Sequence, residues 1–288
     1  MKLTFFVSFI VLLLLNDCIG SDLSVKKCEE YRKISLQTEN EDGFLAKIVS
    51  KDGKISNGVL ISENFVLAST ALDTSDAYAA FGNETHDATE HYYVNQVHKP
   101  ILENFVSSAE TNIQLLQLNR TVKDVRPACL ASKPIRQDEY MEIGWSGWSH
   151  TTSNTILRDV LKVLSNETCR TQLNKTNAHK YFCADSVKSD SESCKIPYGA
   201  LFRKENGRVA DEVVGLSITP IDGCAVGSHR VFVNIFTNLN WIEQTVWPDD
   251  VANYTTPRPT PTPRPNSGTM LGGLWSVLIL LTVLSVFV

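Results

Sequence analysis

Short runs of apolar and β-branched residues recur through the middle of the chain, and polar stretches that contain glycine separate them. The runs are Leu45–Val49, Val59–Leu67, Ile113–Leu118, Val160–Val163, Val213–Ile218 and Val231–Ile235. Runs of this length and spacing are typical of strands, and they favour an all-β sandwich or barrel. The segment 236–246 differs, because Leu239, Ile242 and Val246 recur at helical spacing. It predicts a helix at the end of the domain.

The beginning of the chain has a pattern of its own. Lys2 is followed by an almost wholly apolar run from Leu3 to Leu15, and Gly20 supplies a small residue before Ser21. This arrangement is typical of a secretory signal peptide, so we predict that residues 1–20 are removed. The folded domain is then expected over residues 21–247.

The other end of the chain predicts attachment to a membrane. Residues 248–268 are rich in proline and threonine, which indicates an extended stalk. Residues 269–288 are uncharged and mostly apolar, and no basic residue follows them as it would follow a membrane span. Together with the small residues before it, this tail matches a GPI-attachment signal, with Asn266 or Ser267 as the attachment site. A true membrane span is the alternative, and either places the domain on the outer face of the plasma membrane, with a shed soluble form left open.

Composition excludes several classes of function. The net charge is −5 and basic residues alternate with acidic ones, so neither nucleic acid nor heparin is an expected partner. The six histidines are scattered and match no metal-ligand spacing. The chain has no glycine-rich loop of the kind that binds phosphates. We therefore expect no cofactor and no metal site.

Three segments carry motifs with a recognisable order and separation. The run Val59–Leu67 continues as ASTAL to Leu72, the run Asn112–Leu118 reads NIQLLQL, and the run Cys194–Leu201 reads CKIPYGAL. They resemble SLISENWVLTAAHC, DIALLKL and CxGDSGGPL, the motifs around the catalytic residues of trypsin-like serine proteases. The resemblance covers nearly all of residues 28–247. It implies two six-stranded antiparallel β-barrels and a C-terminal helix.

The same alignment places unreactive residues at all three catalytic positions. Ala71 stands where the family has its histidine, Asn112 where it has its aspartate, and Tyr198 where it has its serine. Catalysis of this type needs a hydroxyl nucleophile, an imidazole base and a carboxylate that orients the imidazole. No histidine precedes His86, and no serine, threonine or cysteine lies between Lys195 and Leu216. The resemblance thus implies an inactive homologue of the kind common in arthropods, without a clip domain before the first paired cysteine.

Cysteines and glycosylation motifs agree with secretion. Of seven cysteines, Cys18 lies in the predicted signal peptide, which leaves six for the mature chain. The resemblance implies three disulfides, and they are Cys28–Cys129, Cys169–Cys183 and Cys194–Cys224. Five N-x-S/T motifs predict N-glycosylation sites, and they are Asn83, Asn119, Asn166, Asn174 and Asn253.

A fold without catalytic residues indicates a binding function. We expect the partners to be extracellular proteins: a protease, a zymogen or an inhibitor that the chain regulates as a decoy or scaffold, for example in an immune cascade. An adhesion or receptor-like module unrelated to proteolysis is the alternative. An atypical serine hydrolase is a remote third hypothesis, because neither a base nor a nucleophile is available.

Overall fold

The computed structural model describes part of the chain in detail. The described residues are 23–34, 43–69, 76–81, 90–100, 113–123, 125–148, 154–173, 180–187, 199–203, 212–218 and 230–255. Several predictions from the sequence concern residues outside these ranges. They are the signal peptide at 1–20, the GPI signal at 269–288 with Asn266 and Ser267, the positions Ala71, Asn112 and Tyr198, the pair Cys194–Cys224, and the motifs at Asn83 and Asn174.

Strands from the first half of the chain close into a barrel in the order β1-β2-β3-β6-β5-β4, with every neighbouring pair antiparallel. The strands are β1 (Leu45–Val49), β2 (Ile55–Ser62), β3 (Phe65–Ala68), β4 (Tyr78–Phe81), β5 (Tyr92–His98) and β6 (Gln114–Leu118). Their apolar side chains fill the interior, where Ile48, Leu67 and Leu115 are fully buried. At Gly58 a Cβ atom would lie 2.6 Å from Val66 Cγ1, so the close approach of β2 and β3 requires glycine.

Strands from the second half form another closed barrel, in the order β11-β8-β9-β10-β13-β12, in which β12 also pairs with β11. The strands are β8 (Tyr140–Trp148), β9 (Asn154–Val163), β10 (Tyr181–Ser186), β11 (Ala200–Arg203), β12 (Glu212–Ser217) and β13 (Arg230–Asn234). A short strand between the barrels, β7 (Cys129–Leu130), pairs in parallel with β12. The prediction of two six-stranded antiparallel barrels is therefore confirmed, with β7 as an addition to the second.

Helices lie at the two ends of the domain and between two strands. Helix α1 covers residues 23–32, α2 is Asn166–Leu173, α3 is Leu239–Val246 and α4 is Pro248–Thr255. A 3-10 turn at Phe236–Asn238 leads into α3, so the predicted C-terminal helix is confirmed. Helix α4 occupies the first residues of the range that the sequence assigns to the stalk. Among the described helices, none has the length and apolar character needed to cross a membrane.

Two disulfides connect helices to the barrels. Cys28 of α1 is bonded to Cys129 of β7, and Cys169 of α2 is bonded to Cys183 of β10. They are two of the three pairs that the resemblance implies. The first closes a loop with a sequence separation of 101 residues, and cross-links that close long loops restrict the unfolded chain most. Helix α1 is thereby held covalently to the domain.

Candidate functional site

The strands that lead to the three catalytic positions of the resemblance are described, although the positions themselves are not. Strand β3 ends at Ala68, strand β6 begins at Gln114, and these two residues pair directly. Position 71 therefore lies three residues after Ala68, and position 112 lies two residues before its partner Gln114. On the other barrel, Ala200 pairs with Leu216, and the Ser217 N–H donates to the Gly199 oxygen at 3.0 Å. Position 198 immediately precedes this hydrogen-bonded segment.

Gln114 fastens the two segments of the first barrel to each other. Its side chain is only 1% exposed, and its Nε2 donates to the Ser69 carbonyl oxygen at 3.1 Å. The family motif DIALLKL has alanine at this place, which cannot make such a bond. The sequence analysis does not predict this contact. The feature that could have indicated it is a polar residue, Gln114, inside an otherwise apolar strand. The structure therefore has a buried side-chain clamp beside positions 71 and 112.

Replacing Gln114 by alanine is expected to lower the free energy of unfolding by about 1–3 kcal/mol, because the buried Ser69 carbonyl loses its donor. Gln114→Met preserves most of the side-chain volume and removes only the donor, so it separates the hydrogen bond from packing. Unfolding in urea, followed by pulse proteolysis, measures both variants. Wild-type stability of Gln114→Met would contradict a stabilising role for the bond.

An aromatic contact joins the two barrels beside the same segments. Phe44, just before β1, packs against Phe202 of β11 with ring centroids 5.2 Å apart, and both side chains are buried. The Leu60 N–H donates to the Phe44 oxygen at 2.8 Å, and the Ala128 N–H donates to the Leu60 oxygen at 2.8 Å. Backbone hydrogen bonds and ring packing thus connect β2 and the residues before β1 and β7 to β11, the strand that follows position 198.

Arg203, at the end of β11, is the centre of an ionic network. Its Nε donates to Glu139 Oε1 at 2.8 Å and its Nη1 to Glu212 Oε2 at 2.9 Å. Its Nη2 donates to the carbonyl oxygens of Lys133 at 3.0 Å and Pro134 at 3.3 Å. Burial disfavours the charge of the guanidinium, but Glu212 and Glu139 outweigh burial and raise the pKa of Arg203. An open cleft of about 430 Å³ borders the network.

A second buried cation lies in the second barrel. Arg230 begins β13, pairs with Ala184 of β10 and is almost fully buried. Burial lowers its pKa, and the charges of Asp159 and Asp185 act in the opposite direction. Asp159 accepts hydrogen bonds from Ser186 Oγ at 2.9 Å and from the Val160 N–H at 2.8 Å. Ser186 thus donates to a buried carboxylate, which does not activate it as a nucleophile by itself.

The described histidines lie in the first barrel and make contacts of their own. The His91 ring stacks on Tyr78 with centroids 3.9 Å apart. His98 Nε2 lies 3.3 Å from Gln117 Oε1, and its ring packs near Phe65. Neither contact involves a hydroxyl nucleophile. His86, His150, His179 and His229 lie outside the described residues.

Three of the predicted glycosylation motifs lie on described elements. Asn119 follows the end of β6, Asn166 begins α2, and Asn253 lies in α4. All three side chains are exposed. The described motifs are therefore accessible on the folded domain.

Comparison with known proteins identifies the family. The model of the Trypsin family matches residues 34–242 of the chain. Rabbit (Oryctolagus cuniculus) haptoglobin is 26% identical over 253 residues, which are 74% of this chain and 69% of haptoglobin.

Solved structures show the same fold at low sequence identity. A scabies mite inactivated protease paralogue is 18% identical with a TM-score of 0.55, over 71% of this chain and 95% of that one. Neuropsin, a serine protease expressed in the limbic system of mouse brain, is 18% identical with a TM-score of 0.56, again over 71% and 95%. With a family match over most of the two-barrel domain, this chain belongs to the trypsin family.

Proposed function

We propose that this chain is a non-catalytic serine protease homologue that acts by binding extracellular proteins. It regulates a protease, a zymogen or an inhibitor as a decoy or scaffold, from the outer face of the plasma membrane, where a GPI anchor holds it. The observation that carries the proposal is the combination of a retained two-barrel frame with alanine, asparagine and tyrosine at positions 71, 112 and 198.

The register of the flanking strands supports this assignment of the three positions. Ala68 pairs with Gln114, and Ala200 pairs with Leu216, so few residues separate each position from a fixed strand end. Ala71 has no proton acceptor. A tyrosine phenol ordinarily has a pKa of about 10, so Tyr198 stays protonated at neutral pH without a base. Asn112 would not supply the carboxylate that orients a catalytic imidazole.

The residue before position 198 also supports a domain that works without proteolytic activation. Active members of the family expose a new N-terminus whose ammonium pairs with the aspartate before the nucleophile, and this chain has Pro197 at that place. Helix α1 is bonded through Cys28 to Cys129, so it would stay attached to the domain whether or not the chain is cut after Cys28. Ser24, at its start, donates to the buried Glu243 of α3.

Two further findings agree with the proposal. The scabies mite protein that shares the fold is named an inactivated protease paralogue, so in that protein the fold persists without catalysis. Both described disulfides, and membership of the trypsin family, are typical of an extracellular protein.

Purified protein is expected to show no covalent labelling by a fluorophosphonate probe and no hydrolysis of peptide esters above the rate of buffer alone. The reason is that tyrosine replaces the nucleophilic serine at position 198, and alanine replaces the histidine base at position 71. Active trypsin in the same assay controls for the reagents. Hydrolysis that disappears in Tyr198→Phe would show that the tyrosine is a nucleophile and would overturn the proposal.

Proximity labelling from the chain on living cells tests the binding role. A labelling enzyme is fused after the predicted signal peptide, and labelled proteins are identified by mass spectrometry. Enrichment of serine proteases, zymogens or their inhibitors supports the decoy or scaffold. Enrichment of adhesion or matrix proteins without any protease contradicts the decoy or scaffold role and favours an adhesion or receptor-like module unrelated to proteolysis.

A further inference from the structure

A platform of three aromatic rings lies on the outer face of the first barrel. It consists of Tyr78 of β4, His91 just before β5, and Tyr93 of β5, of which Tyr93 is the exposed one. The rings of Tyr78 and His91 are stacked 3.9 Å apart, and Tyr93 stands edge-on at 6.1 Å from Tyr78 and 6.4 Å from His91. Tyr93 is 53% exposed, whereas its neighbour Tyr92 points into the barrel and is buried. Tyr78 and His91 are half-buried, so Tyr93 presents the exposed edge of a small aromatic cluster.

Asn119 lies directly opposite Tyr93. Val94 pairs with Leu118, and the Asn119 N–H donates to the Tyr93 oxygen at 2.9 Å, which continues the ladder by one residue. The Asn119 Oδ1 then accepts the Tyr93 N–H at 3.1 Å. Side chains of opposite residues in an antiparallel pair share a face, with Cβ atoms about 5 Å apart. The Asn119 side chain therefore lies against the main chain of Tyr93, on the residue that carries the exposed ring.

The folded domain leaves room for a sugar on the nitrogen of the Asn119 amide, because the residue is exposed. The Tyr93 N–H fixes Oδ1 on the inner side of the amide, and within the described part of the chain no acceptor takes a hydrogen bond from Nδ2. Nδ2 is the atom to which N-linked sugars are joined. Asn119, Arg120 and Thr121 form a complete motif, and all three are exposed.

Arg120, the middle residue of the motif, connects the bend after β6 to the residues before β5. Arg120 Nη1 lies 3.2 Å from Glu90 Oε2, and its Nη2 donates to the His91 oxygen at 3.4 Å. Its guanidinium also lies 4.3 Å from the centroid of the Tyr92 ring. These contacts tie the motif to the segment that begins the platform.

We infer that Asn119 carries an N-linked glycan whose first sugars lie on the Tyr78–His91–Tyr93 platform. In the secretory pathway Asn119 Nδ2 displaces the lipid pyrophosphate from C1 of the first N-acetylglucosamine of a lipid-linked oligosaccharide. A C–N bond forms, the C–O bond to the pyrophosphate breaks, and Nδ2 loses one proton. The C–H groups of the sugar carry partial positive charge and pack against the negative faces of aromatic rings. Proteins are then excluded from the platform, which is a carbohydrate-covered part of the surface.

The other described motifs differ in their surroundings. At Asn166 the motif hydroxyl of Thr168 is hydrogen-bonded to Ser165 Oγ at 2.8 Å, at the start of α2. Asn253 lies in α4, whereas the platform is carried by β4 and β5. The motif at Asn253 thus offers a matched comparison, with a glycan site on the same domain but without the Tyr93 ring.

A thermodynamic cycle tests the inference on the full chain, expressed in cultured cells and extracted in mild detergent. Thr121→Val removes the glycosylation motif and leaves the Asn119–Tyr93 hydrogen bonds in place. Tyr93→Thr removes the ring and leaves the motif. Glycopeptide mass spectrometry measures the occupancy of Asn119 in each variant, and pulse proteolysis in urea measures the folding equilibrium. The cycle isolates the coupling between sugar and ring.

Near-complete occupancy of Asn119 is expected in wild type. Thr121→Val should lower the folding equilibrium constant about fivefold when Tyr93 is present and less than about twofold in the Tyr93→Thr background. Thr255→Val, which removes the motif at Asn253, should have the same effect in both backgrounds. An unmodified Asn119 in the mature chain overturns the inference, and so does an equal effect of Thr121→Val in the two backgrounds. Neither result depends on whether the chain binds a protease.

Discussion

Replacing Arg203 by methionine is expected to lower the free energy of unfolding by about 3–5 kcal/mol, which is the usual effect of breaking a buried ion pair from one side. Arg203 is only 6% exposed, and methionine leaves Glu139 and Glu212 without their shared cation. The carbonyl oxygens of Lys133 and Pro134 lose a donor as well. Pulse proteolysis in urea measures the change.

Two comparisons show whether the buried network causes the loss. Arg120→Met breaks an exposed pair with Glu90 and is expected to cost less than about 1 kcal/mol. Adding Glu139→Gln and Glu212→Gln to Arg203→Met should recover part of the stability, because both unpaired charges are removed. Equal losses for Arg203→Met and Arg120→Met would mean that burial does not strengthen the network.

The network matters for the candidate site because of its place in the chain. Arg203 ends β11, the strand that begins two residues after position 198, and it connects this strand to Glu212 of β12 and to Glu139 before β8. Glu212 also accepts hydrogen bonds from the N–H and Oγ of Ser132. Loss of Arg203 should therefore disturb the segment that supports position 198 before it disturbs the first barrel.

The sequence allowed the main strands to be predicted because their interior positions are apolar and β-branched. The run Val59–Leu67 indeed forms the second half of β2 and most of β3, although the single run hides the turn that divides them. The predicted runs do not include β4, β5, β7, β8, β10 or β11. For β5 the reason is physical. Most residues of β5 are exposed or half-buried, so it lacks the apolar pattern of a core strand.

Contacts between residues far apart in sequence could not be predicted from local patterns. Arg203 looks like an ordinary surface cation until β8, β11 and β12 bring Glu139 and Glu212 to it. Helix α1 was not expected, and the contact of its Ser24 with Glu243 of α3 joins residues that are far apart in the sequence. The three positions of the candidate site could be predicted, because sequence motifs are local. The hydrogen bond from Gln114 to Ser69 could not, because it forms only when β3 pairs with β6.

Glu243→Ala is the second substitution with a large expected effect, a loss of about 2–4 kcal/mol in the free energy of unfolding. The Glu243 carboxylate is 1% exposed and accepts the Ser24 N–H at 3.0 Å, and the Ser24 hydroxyl also donates to it. It lies at the start of α1, where the free N–H groups and the helix dipole favour a negative charge. Alanine removes the acceptor and leaves the buried Ser24 donors without it.

A cycle with Ser24→Ala separates this contact from the general importance of α3. If the carboxylate stabilises the domain by holding α1, Glu243→Ala should cost at least about 1 kcal/mol less when Ser24 is already alanine. Glu243→Gln keeps an acceptor oxygen without the charge and should fall between wild type and Glu243→Ala. Additive losses in the cycle would show that Glu243 stabilises α3 without Ser24. Helix α1 would then depend on the Cys28–Cys129 disulfide and on the Lys27–Asp250 ion pair at 2.9 Å, which is partly exposed and therefore weak.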